Sequence, residues 1–149
     1  MWISINDRFE RWDLEGFPEV ITDKLPEGET AQTPTYFWQL KKIAEIKTYY
    51  DQLSQTFTYQ NHTYQTDKEA ELNLSASLTV IELGTISSIT WRTLDNQMVE
   101  FTSEAFKTFC TAVFEFKQNN FMTKVHHIDN VRALTTVEEV ENYDFTTGN

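Results

Sequence analysis

The sequence predicts an α+β fold: two short β-hairpins packed with three main helices, plus an N-terminal hairpin or extended arm. Three observations predict it. Apolar and polar residues alternate on both sides of turn formers at residues 56–65 and 86–101. Other stretches place apolar residues at intervals of three and four. Threonines stand at the starts of those helical stretches, two of them followed three residues later by glutamate.

The elements follow in order. Residues 1–17 read as a small hairpin or extended arm, with Trp2, Ile3 and Ile5, then the turn formers Asn6 and Asp7, then Phe9, Trp12, Leu14 and Phe17. Residues 18–34 hold all three prolines and one glycine among many polar groups, the composition of a linker. The domain division read from this is an arm and linker at 1–34 and an α+β domain at 35–149. Residues 35–53 form a helix capped by Thr35, with Tyr36, Leu40, Ile43, Ile46, Tyr50 and Leu53 on its apolar stripe. A hairpin follows, strands 56–59 and 63–65, turning at Gln60, Asn61 and His62.

Residues 66–84 satisfy two patterns. Ala70, Leu72, Leu74, Ala76, Leu78 and Val80 alternate as in a strand, while Ala70, Leu74, Leu78 and Ile81 form one helical stripe and Leu72, Ala76, Val80 and Leu83 the next. The capping box from Thr66 to Glu69, the length of the run and Gly84 at its end favour a helix buried on a wide face. The second hairpin has Ile86, Ile89 and Trp91 before a loop at 94–97, and Met98, Val99 and Phe101 after it. Thr102 caps a long helix through Phe106, Phe109, Cys110, Val113, Phe114, Phe121, Val125, Ile128 and Val131, with Asn119 and Asn120 as a place to kink. A last helix at 135–143 begins with a capping box from Thr135 to Glu138.

Composition narrows the function. At 149 residues the chain can bury a sizeable core without disulfide or metal, and its one cysteine permits no intramolecular disulfide. A net charge of −11 repels phosphate backbones and anionic lipid, so neither nucleic acid nor membrane is an expected partner. The N-terminus lacks the basic and apolar regions of a secretory signal. No active-site constellation stands out, and the chain reads as a non-enzyme. His126 and His127 are adjacent and cannot both face one ion from a helix, Cys110 lies on an apolar stripe, and four scattered glycines supply no phosphate cradle. No cofactor or metal is expected. The stretch from Trp91 to Asn96 reads as a turn before it reads as a ligand surface.

The aromatic residues of the arm remain. Core packing is the commoner use of such side chains. The alternative is an exposed patch that grips a partner, since Trp and Tyr dominate interface hot spots. Trp2, Phe9, Trp12 and Phe17, ahead of a proline-bearing linker, are the candidate partner-binding residues.

The segments FTYQNHTYQTD, ITWRTLDNQMVEFTSEAF and VRALTTVEEVENYDFTTGN together resemble a domain-of-unknown-function family of tailed phages and prophages, over residues 38–149. Trp91, Thr93, Asp95, Asn96 and the Tyr143, Asp144, Phe145 run carry the resemblance. Asn61 stands where the family usually has glycine, and Asn149 where it often has tryptophan. The resemblance implies a protein encoded beside tail-fibre genes. It implies an assembly chaperone that binds the tail-fibre protein in the host cytoplasm, or else a component retained in the virion tail or fibre tip. A homo-oligomer is compatible with either.

Overall fold

The computed structural model describes residues 1–147, so Asn149, one of the two departures noted in the resemblance, lies outside the described residues. The order is β1 (Trp2–Ile5), β2 (Arg8–Trp12), β3 (Pro18–Thr22), β4 (Ala31–Gln32), α1 (Pro34–Leu53), β5 (Thr56–Tyr59), β6 (His62–Gln65), α2 (Lys68–Glu82), β7 (Ser88–Arg92), β8 (Met98–Thr102), α3 (Ser103–Ala133) and α4 (Val137–Glu141). This is the α+β fold the patterns predict, with short hairpins set among helices. The chain divides into two compact units, one holding residues 1–48 together with the segment from Thr123 onward, the other holding residues 49–122.

In the unit of residues 49–122, both hairpins form, the first with a tighter turn than expected, since His62 leaves the turn and begins β6 opposite Tyr59. Gln60 and Asn61 both take positive φ (48° and 67°), as a two-residue turn of the primed type requires, and asparagine tolerates that region without glycine. The turn side chains of the second hairpin satisfy its own backbone. The Thr93 hydroxyl accepts from the Gln97 amide at 2.9 Å and donates to Asp95, while Asn96 sits at φ 63°. The Leu94 amide donates to the Thr63 carbonyl at 2.7 Å, tying one hairpin to the loop of the other. The inner faces of both hairpins meet α2 and the first half of α3 in an aromatic core of Tyr64, Leu74, Ile81, Phe101, Phe106, Phe109 and Val113. The rings of Phe101 and Phe109 stack at 5.1 Å, and Trp91 lies 5.4 Å from Phe106. Trp91 is therefore part of the architecture, as its place in the strand alternation suggests.

Two expectations about α2 change. Its cap is Asp67, whose carboxylate accepts from the Ala70 amide at 2.9 Å. Thr66 is instead fully buried and donates its hydroxyl to the Ser54 carbonyl at 2.8 Å. The helix is also buried on a narrow stripe, not a wide face: Leu74 and Ile81 are covered, while Leu72, Val80 and Leu83 are exposed. Gly84 does end the segment at φ 73°. Helix α3 starts as predicted, with the Thr102 hydroxyl accepting from the Ala105 amide, and runs unbroken through Asn119 and Asn120. Of its expected apolar stripe, Phe114 and Phe121 are exposed.

In the other unit, α1 begins one residue early, at Pro34, where the missing amide costs nothing. The cap is Thr33, which accepts from the Tyr36 amide, and Thr35 instead reaches the Thr135 carbonyl. The buried stripe is centred on Phe37, Ile43 and Ile46, leaving Tyr36 and Leu40 exposed. Gln39 donates to the carbonyls of Arg132 and Leu134, closing the end of α3. The capping box of α4 pairs Thr136 with Glu139, one residue later than expected. Two threonines followed by two glutamates at the same spacing offer both registers, and the sequence cannot choose between them. The Tyr143 hydroxyl meets His127 Nδ1 at 2.7 Å and Asn130 at 3.0 Å, holding the C-terminal segment against α3.

The largest departure lies at the N-terminus. Residues 1–34 build a four-stranded sheet ordered β3-β2-β1-β4, so the stretch read as a linker supplies two strands. Pairing overrode composition: β3 runs antiparallel to β2, and β4 adds to β1 in parallel.

Candidate functional site

The geometry of this sheet decides which of its apolar side chains meet solvent. Asn6 and Asp7, at φ 48° and 62°, close the β1–β2 hairpin in a primed turn. In the register, Ile3 lies opposite Glu10 and Trp2 opposite Arg11. Directly opposed residues share a face. One face therefore carries Ile3, Glu10, Trp12 and, at the sheet's edge, Ile21, and the other Trp2, Phe9, Arg11 and Val20.

The first face is covered by α1. Ile3 is fully buried, and the Trp12 ring meets Phe37 edge-on at 5.3 Å. The Trp12 indole donates to Glu10 at 2.8 Å, which satisfies its one polar atom beneath the sheet. Gly16 approaches the Trp38 ring so closely that a β-carbon would sit 3.0 Å from it, and its φ of 90° excludes other residues as well. Lys41 stands over the same ring at 4.7 Å.

The β2–β3 loop is held by Asp13. Its carboxylate accepts from the amides of Phe17 at 3.0 Å and Glu15 at 2.8 Å, and its own amide donates to the Phe17 carbonyl. These bonds, that of Phe17 first, hold the Asp13 carboxyl below its ordinary pKa. The loop is thus ordered by its own hydrogen bonds, and what it presents is apolar. Leu14 is 89% exposed and Phe17 63%, and beside them on β3 Val20 and Ile21 are exposed.

The four sequence-predicted residues do not form one cluster. Trp2 and Phe9 are half-buried on the outward face, Trp12 belongs to the covered face, and Phe17 stands in the loop. Sequence reasoning passed over Leu14, Val20 and Ile21. Leu14 carried a usable signal, an apolar residue between Asp13 and Gly16 in a segment too tight to bury it. Val20 and Ile21 carried none, because a strand in a proline-bearing stretch does not announce its pairing partner.

Two other features bear on chemistry, both among residues 49–122. Between α2 and α3 lies an apolar cleft of about 320 Å³, lined by Leu74, Leu78, Cys110, Val113 and Phe114. At its rim Lys117 donates to the Thr66 carbonyl at 2.6 Å and to Glu71 at 2.8 Å. Burial pushes the Cys110 thiol up to about 11, so it holds its proton at neutral pH and is a poor nucleophile. Among the described residues no cluster of His, Cys, Asp and Glu is placed to hold a metal ion, and no helix is long and apolar enough to cross a membrane.

An α+β chain, with hairpins on an aromatic core in one unit and a separately paired sheet in the other, is the class of molecule this geometry defines. The model of the family described as a domain of unknown function, DUF4376, matches residues 39–147, and the chain belongs to that family. The matched region begins after the sheet and its loop. No match was found among curated proteins or among solved structures.

Proposed function

We propose that this protein is a non-enzymatic, phage tail-associated binding protein, and specifically a chaperone that holds the tail-fibre protein during assembly. The observation that carries the binding part is the 13–17 loop, which spends its hydrogen bonds on presenting Leu14 and Phe17 to solvent. Exposed apolar side chains on an ordered loop suit a surface that covers another protein's apolar segment for a time. The phage assignment rests on the resemblance of the hairpin and C-terminal motifs. The acidic balance suits a partner that must stay in solution among folding intermediates.

Co-expression with the neighbouring fibre protein tests the reading. Fibre solubility and trimer yield are expected to rise with this protein and to fall back when Leu14 and Phe17 are both changed to serine. Unchanged fibre yield without the protein would rule the chaperone out. Mass spectrometry of purified particles separates the transient chaperone from a retained tail component, which would be present at fixed stoichiometry.

A further inference from the structure

The N-terminal sheet ends in a strand with a free side. In the order β3-β2-β1-β4, β3 has β2 on one side and, among the described residues, no strand on the other. The register shows which of its backbone groups face that open side. Met1 and Trp12 exchange both hydrogen bonds, Trp12 N–H to Met1 O at 2.8 Å and Met1 N to Trp12 O at 3.1 Å. Backbone groups alternate in direction along a strand, so Trp12 and Glu10 point to β1, and Arg11 and Phe9 to β3. Their partners across the second ladder are Val20 and Thr22. Ile21, between them, therefore turns its N–H and C=O groups outward. At the register irregularity Trp12 pairs with Pro18, which has no N–H, so the bulged Glu19 turns its N–H inward to β2 and the open stretch is confined to residues 20–22.

We infer that this edge receives an extended strand from a partner, and that the strand carries lysine or arginine among apolar residues. The backbone groups of Ile21 supply the hydrogen bonds to the added strand, and exposed Ile21 on one face of the sheet and Val20 on the other supply apolar ground for its alternate side chains. Charge selects the occupant. Residues 13–29 contain six carboxylates against the single Lys24. Glu19 is paired with Arg11 at 3.1 Å, but Glu15, Asp23, Glu27 and Glu29 have no ion pair among the described residues. A field of that sign attracts a basic strand and repels an acidic one. It also opposes a second copy of this chain, which would bring the same carboxylates against themselves. The inference rests on the reading that the N-terminal sheet binds a partner. It adds the mode, strand addition, and the chemistry of the partner segment.

The test uses the full chain and two synthetic peptides of about nine residues, the length of a long strand, one alternating lysine with valine and the other glutamate with valine. The basic peptide is expected to bind, to slow hydrogen exchange at the Ile21 amide roughly tenfold or more, and to weaken severalfold as salt rises from about 50 to about 300 mM. The acidic peptide is expected not to bind. Ile21→Lys should lower affinity roughly tenfold with an unchanged melting curve, since Ile21 is 56% exposed, whereas Leu72→Lys on α2 should leave affinity unchanged. The inference is overturned if the basic peptide does not bind, if it binds without protecting the Ile21 amide, or if the chain alone dimerises with that amide protected. Fibre rescue that survives Ile21→Lys would remove the edge and keep the chaperone. Peptide binding with that amide protected and no fibre rescue would do the reverse.

Discussion

The β5–β6 and β7–β8 hairpins and the β2–β3 hairpin are made from similar material, short strands with aromatic and branched residues around tight turns, and they treat it in opposite ways. In the first two, Tyr64 and Phe101 are buried and Phe57 and Trp91 half-buried, all packed on Phe106, Phe109 or Phe116. In the third, Trp12 finds cover under α1 while Leu14, Phe17, Val20 and Ile21 do not. The turns differ in the same sense. Thr93 and Asp95 close a loop whose neighbouring aromatics face the core, whereas Asp13 closes a loop that faces solvent. A hairpin's sequence specifies its turn and alternation, but whether its apolar face is core or surface depends on what covers it.

If the comparison is sound, perturbing the two regions should separate stability from binding. The largest expected effect is from Phe109→Ala. Phe109 is fully buried and touches Tyr59, Tyr64, Phe101 and Phe106, so its loss should cost about 3–5 kcal/mol in chemical denaturation. Thr93→Val comes next. It keeps the shape but removes the acceptor of the Gln97 amide in a site only 3% exposed, and about 1–3 kcal/mol should be lost by the same measurement.

A smaller effect comes from pH. Burial first, and the neighbouring His126 second, hold the His127 imidazole below its ordinary pKa, with Asp144 opposing. The unfolded chain therefore takes up the proton more readily than the folded one. This contribution to stability is complete above about pH 6.5, the value of an unperturbed histidine, and is lost as the pH falls through the lower folded value. Melting temperature should drop between neutral pH and about pH 5, and His127→Gln should flatten that slope. Smallest in stability is the double change Leu14→Ser and Phe17→Ser, which should leave the melting temperature nearly unchanged while abolishing partner binding. A large loss of melting temperature would show that these side chains are covered after all.

Legibility followed the range of the interactions. The two hairpins of the 49–122 unit could be read because alternation and turn residues are local, and Asn61 and Asn96 sit in the positive-φ region that asparagine tolerates. The start of α3 was legible for the same reason. The cap of α2 was misplaced by one residue because Thr66 and Asp67 are both good caps, and a contact from Ser54 claimed the threonine. The width of the α2 apolar face was overread, since a second apolar stripe in sequence does not require a second covering surface. The candidate site was legible only in part. Phe17 was named, Trp12 was drawn inward by Phe37, and Ile21 came to the surface through a strand pairing that the prolines obscured.

By itself the sequence determined the fold class, the place of both hairpins in the 49–122 unit and the motifs from Phe57 to Phe145, because each depends on residues close together in the chain. Tertiary structure decided that residues 18–34 are largely strands and their turns, which of two adjacent threonines caps a helix, and which apolar side chains stay in water. These outcomes turn on competition between distant partners for one backbone group or one apolar face, and no local pattern records who wins it.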